Sequence, residues 1–66
     1  MLVVKVTMLE GRTLEQKEAL IERLSVAASK HLNWPLAEVR VVIYEVARSN
    51  WGIAGHSIAK REEQNR

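Results

Sequence analysis

Apolar and polar residues take turns from Leu2 to Leu9, with Leu2, Val4, Val6 and Met8 on one side and Val3, Lys5, Thr7 and Leu9 on the other. That period of two, rich in valine, predicts a strand that Gly11 ends. The period then lengthens. Leu14, Ile21, Leu24, Ala28 and Leu32 follow helical spacing, with Leu20 and Ala27 widening the stripe, which predicts a helix from about Leu14 to His31 or Leu32. Thr13 stands as its N-cap with Gln16 completing a capping box, Asn33 is a natural stop, and Pro35 forbids further regular helix. Alternation returns in Val39–Val46, where Val39, Val41, Ile43 and Glu45 share one face and Arg40, Val42, Tyr44 and Val46 the other. Beyond it, Gly52 and Gly55 mark tight turns and predict a short hairpin.

Two strands joined by a helix of this length are most simply parallel, in a right-handed βαβ crossover. The fold class is therefore α+β: a βαβ unit with parallel strands followed by a short C-terminal hairpin, in one domain spanning residues 1–66. One helix covers one face of a two-stranded sheet. Both strands carry apolar residues on both faces, the pattern of a sheet covered twice. The second cover has to come from another chain.

Size strengthens that expectation. A chain of 66 residues buries only about 60% of the surface its unfolded form exposes, and small scaffolds usually add disulfides, a metal or partner chains. Cysteine is absent, which removes disulfides and thiolate metal sites. His31 and His56 lie far apart in sequence and suggest no metal site or catalytic triad. The net charge of +2 is mixed along the chain, and no basic stripe interleaves with aromatics, so nucleic acid is a poor partner. No stretch approaches the ~20 apolar residues of a membrane span, and no signal-peptide layout is present. A cytoplasmic protein is expected, with Lys60–Arg66 as a solvated tail.

The segments Leu9-Glu10-Gly11-Arg12, Glu15-Gln16-Lys17, Trp34-Pro35-Leu36, Val39-Arg40-Val41 and Trp51-Gly52-Ile53 with Gly55, in this order and spacing, resemble the 4-oxalocrotonate tautomerase family over nearly the whole chain. The resemblance implies βαβ subunits assembled into dimers and then a hexamer, a trimer of dimers, with active sites at subunit boundaries. It implies isomerase chemistry: keto–enol tautomerisation of unsaturated dicarboxylic acids from aromatic catabolism, such as 2-hydroxymuconate, without a cofactor. By position, Arg12 corresponds to the arginine that binds the remote substrate carboxylate. Arg40 corresponds to the one that engages the 2-oxo or 2-hydroxy oxygen and its neighbouring carboxylate, and Trp51 to an aromatic pocket wall. A dicarboxylate needs two fixed cations, and guanidinium pairs with carboxylate bidentately while stabilising a developing dienolate.

The departure lies at the base. The family uses an amino-terminal proline, a secondary amine whose pKa nearby cations and desolvation lower. The aligned residue here is Leu2, which transfers no proton. A bulky second residue predicts retention of Met1, whose amine then sits one residue too far out. The sequence thus resembles the proline-lacking β subunit of a heterohexamer whose α subunit supplies the proline. The competing expectation is a homo-oligomer with weak or no isomerase activity, an assembly or binding protein on the same fold.

Each candidate has a plainer reading. Arg12 alone is an ordinary solvated loop arginine. Arg40, on an apolar strand face, needs a partner for its charge, and a structural ion pair with Glu45 or Glu10 would supply one. Trp51 and Ile53 are poor candidates for a free loop and serve equally well as interface anchors, and Trp34 and Tyr44 read as packing residues.

Overall fold

A computed structural model describes residues 1–64. Strand β1 (Leu2–Leu9) leads to helix α1 (Leu14–Leu32), which is followed by a 3-10 turn at Leu36–Glu38 and strand β2 (Val39–Val46). A second 3-10 turn at Arg48–Asn50 precedes the short strands β3 (Gly52–Ile53) and β4 (His56–Ser57), and helix α2 (Ile58–Gln64) closes the described chain. The α+β expectation holds: β1 and β2 are parallel, in a register running from Leu2 beside Val39 to Leu9 beside Val46, and β3 and β4 form an antiparallel hairpin.

Local chemistry sets these boundaries. The Gln16 backbone N–H donates to Thr13 Oγ1 at 3.1 Å, and the Thr13 N–H donates to Gln16 Oε1 at 3.0 Å, a complete capping box that satisfies two otherwise orphaned donors. At the other end Asn33 adopts φ 51°, ψ 51°, and its N–H donates to the Ser29 carbonyl. Ser29 Oγ donates to the Trp34 carbonyl at 2.6 Å, turning the chain toward Pro35. The hairpin turns through Ala54 and Gly55, both at positive φ, the signature of a type I′ turn matched to strand twist.

The helix packs on one face of the sheet only. Leu2, Val4, Val6, Met8, Val41 and Ile43 are half-buried there, and Val39 is the one buried hydrophobic residue among those described, 9% exposed. From α1 the half-buried positions are Lys17, Leu20, Leu24, Ser25, Ala28 and Ser29. The apolar stripe read from the sequence is therefore only partly the sheet-facing one: Leu14, Ile21, Ala27 and Leu32 are exposed, Leu14 to 72%. The helix is apolar over a wider arc than two strands can cover. The opposite sheet face is open as well, with Val3, Val42 and Tyr44 exposed.

The tail expectation requires correction. Residues 58–64 form α2 rather than a solvated strand of chain. The Lys60 N–H donates to Ser57 Oγ at 3.1 Å, and the Ile58 N–H to the Trp51 carbonyl at 2.8 Å. The mixed charges gave no sign of a helix start that these contacts supply, although Lys60, Arg61, Glu62 and Glu63 do face solvent. The rest of the predicted tail, Asn65 and Arg66, lies outside the described residues.

The chain is extended, 47 × 24 × 14 Å, with a radius of gyration of 15.7 Å, against about 11 Å for a compact chain of this length. Its accessible surface of 5352 Å² exceeds by roughly 1,100 Å² that of a typical monomer of its mass, more than the ~800 Å² each partner gives to a standard interface. The surplus is what association covers.

Two outcomes follow. Thr13→Ala lowers unfolding stability by about 1 kcal/mol through loss of the cap, read from the urea midpoint at unchanged slope. Tyr44→Asp, on the open sheet face, shifts the protein to smaller species in sedimentation velocity, because a charge there cannot be buried without a partner.

Candidate active site

Arg12 follows the turn that ends β1. The Glu10 N–H still donates to the Val46 carbonyl at 3.0 Å, extending the sheet by one bond. Gly11 then takes φ +123°, a conformation closed to most side chains, and Thr13 begins the helix cap. Arg12 thus hangs between two anchored residues. With Met8, Gln16, Lys17 and Leu20 it lines a cavity of about 240 Å³ between the end of β1 and the first turns of α1.

Charge in this region is partly committed. Lys17 Nζ meets Glu45 Oε1 at 2.7 Å, with both side chains only partly exposed. Among the described residues no acceptor holds the Arg12 guanidinium, which leaves it free for an anion. A guanidinium offering a planar fork of donors is suited to a carboxylate.

Arg40 lies elsewhere. Its Cα pairs with Val3 at the start of the sheet, whereas Arg12 follows the end where Leu9 meets Val46. Six residue steps at ~3.3 Å put those two ends about 20 Å apart. Arg40 Nη1 donates to the Ala37 carbonyl at 2.9 Å. Neither ion pair weighed for Arg40 forms: Glu45 is held by Lys17, and the described ion pairs are Lys17–Glu45 and Arg48–Glu62. Alternation explains this, because positions 40 and 45 point to opposite sheet faces. Arg40 is exposed on the open face.

Trp51 is half-buried between the Arg48–Asn50 turn and β3, while Ile53 is 46% exposed. Arg12 and Arg40 therefore lie at opposite ends of the sheet, and Trp51 follows the turn that carries Arg48. His31 and His56 are exposed, and the described residues contain no cluster of potential metal ligands. Leu2 is a half-buried sheet residue beside Val39.

Two residues escaped the sequence reading. Lys17 precedes Leu20 and Leu24 by three and seven residues, the spacing of the sheet-facing stripe, and its charge masks that signal. Arg48 carries no local signal. Its Nε meets Glu62 Oε1 at 3.0 Å and its Nη1 donates to the Glu10 carbonyl at 3.1 Å.

The structure thus presents a parallel βαβ unit with one open sheet face, an arginine beyond its first strand and another near the start of its second. Residues 3–61 match the family model described as Tautomerase enzyme. The chain belongs to the tautomerase family. It is 51% identical to a 2-hydroxymuconate tautomerase of Pseudomonas putida, over 80% of this chain and 84% of that protein. It superposes on TomN, a 4-oxalocrotonate tautomerase homologue of the tomaymycin biosynthetic pathway, with TM-score 0.88 and 36% identity over 97% and 98% of the two chains. The heterohexamer 4-oxalocrotonate tautomerase of Chloroflexus aurantiacus J-10-fl gives TM-score 0.83 and 48% identity over 91% and 97%. No described helix is long and apolar enough to cross a membrane.

The Lys17–Glu45 pair ties α1 to β2 beneath the cavity. A double-mutant cycle with Lys17→Met and Glu45→Gln yields a coupling of about 0.5–1 kcal/mol in urea unfolding, as expected for a partly exposed pair.

Proposed function

We propose that this chain is a subunit of a hetero-oligomeric 2-hydroxymuconate tautomerase, cytoplasmic and formed as a single domain over residues 1–66. In this reading it supplies Arg12, Arg40 and Trp51 to sites shared between chains, while a proline-bearing α-type subunit supplies the base. The observation that carries the reading is the placement of two arginines without carboxylate partners at opposite ends of one sheet. With strand ends about 20 Å apart, Arg12 at the helix-side cavity and Arg40 on the open sheet face, they do not converge on one small dicarboxylate within a single chain. Each completes a site only across an interface. A heterohexamer among the similar structures supports the hetero-oligomeric part of this reading.

Arg12 holds the substrate's remote carboxylate. Arg40 binds the reacting end, where it stabilises charge that develops on the 2-oxygen in the dienolate. The partner's amine takes the proton from the hydroxyl oxygen and returns it to a distal carbon, so the reaction is redox-neutral and needs no cofactor. Trp51 walls the pocket from water and so strengthens both guanidinium contacts. Leu2, at the position the family resemblance gives to the proline, packs in the sheet and moves no proton.

The second reading is a homo-oligomer with weak or no isomerase activity, an assembly or binding protein. It draws on the same Leu2. Intact-mass spectrometry of the natively purified complex separates the two: a second, proline-bearing chain supports the first reading, and copies of this chain alone support the second.

Co-expression with a proline-bearing partner restores 2-hydroxymuconate ketonisation. In that complex Arg12→Ala raises KM and Arg40→Ala lowers kcat, each costing about 10²-fold in kcat/KM. Unchanged turnover in both variants removes the assignment.

A further inference from the structure

We infer that Arg48 is a positioning residue for the substrate-binding guanidinium of Arg12, and that Glu62 of α2 holds Arg48 in place. The inference rests on the proposed role of Arg12 toward the remote carboxylate. It comes from contacts that role does not use.

Arg48 is the one side chain among those described that bridges the C-terminal arm and the loop carrying Arg12. Its Nη1 donates to the Glu10 carbonyl at 3.1 Å, and its Nε donates to Glu62 Oε1 at 3.0 Å. The Glu10 N–H is already bound to the Val46 carbonyl at 3.0 Å, so both polar groups of Glu10's backbone are held. The next residue is Gly11 at φ +123°, the most permissive type of link in the chain. Arg12 follows, and then the Thr13–Gln16 capping box fixes the far side. Arg48 therefore clamps the near side of a glycine hinge whose far side is clamped by the helix cap.

What Arg48 does not do is equally informative. Its contacts to Glu62 and Glu10 occupy it, whereas Arg12 meets no acceptor among the described residues. Arg48 and Glu62 remain 45% and 56% exposed, and a surface pair of this kind contributes little to global stability. Its effect falls on the geometry of the loop. Small displacements of a substrate-anchoring group change binding and turnover far more than they change folding.

The test uses the assembled complex with its proline-bearing partner and two substrates: the dienol dicarboxylate, and the same dienol lacking the remote carboxylate. Arg48→Ala raises KM for the dicarboxylate about three- to tenfold, leaves kcat within about twofold, and does not change KM for the monocarboxylate. Arg48→Lys, which keeps the charge but not the bridging fork, recovers part of the loss. Glu62→Gln raises the dicarboxylate KM about twofold, with the thermal midpoint unchanged in all three variants. A dicarboxylate KM unaffected by Arg48→Ala but raised by Arg12→Ala overturns the positioning role and leaves Arg12 standing. Equal losses on both substrates, or a lowered thermal midpoint shared by Arg48→Ala and Glu62→Gln, overturn it in favour of a general structural contact. If Arg12→Ala leaves the dicarboxylate KM unchanged, the parent reading of Arg12 fails first.

Discussion

Parallel pairing of β1 with β2 is the constraint from which the rest of the molecule follows. Parallel neighbours begin at one edge of a sheet and finish at the other, and they need a long crossover between them. That crossover is α1, which covers one sheet face and leaves the other open. The same directionality places the loop after β1 and the opening of β2 at opposite ends. The backbones of Arg12 and Arg40 are thus held apart by topology. An antiparallel hairpin of the same strands would have set the two loops side by side.

Incomplete cover follows from the same topology. Val3, Val42 and Tyr44 lie bare on the outer sheet face, and Leu14, Ile21 and Leu32 on the outer arc of α1. Apolar surface of this extent is removed from water by neighbouring chains. A chain docked on the open face lies beside Arg40 as well, since that residue shares the face with Val42 and Tyr44. Burial drives association, and association is what can bring an arginine of one subunit toward groups of the next.

The charged groups divide according to what holds them. Lys17 and Glu45 meet beneath the cavity where water is partly excluded, and Arg48 and Glu62 meet near the surface where it is not. Both pairs join elements remote in sequence, α1 to β2 and the second 3-10 turn to α2. Arg12 and Arg40 stand outside both pairs. Guanidinium groups without carboxylate partners are the ones left available to an added anion.

The bounds of β1, α1 and β2, both helix caps and the hairpin were legible in the residues, because alternation, 3.6-residue periodicity, capping pairs and glycine turns act within a few positions. So was the need for a second cover, written in valines on both strand faces. Other features depended on what meets what in space. Leu20 and Leu24 face the sheet while Ile21 and Leu32 do not, because two strands are narrower than the helix's apolar arc. The charged C-terminal run became α2 once Ser57 and Trp51 supplied partners for its first turn. Arg48 reaches a carbonyl 38 residues away, a contact that no local pattern encodes and that chain topology alone brings within bonding distance.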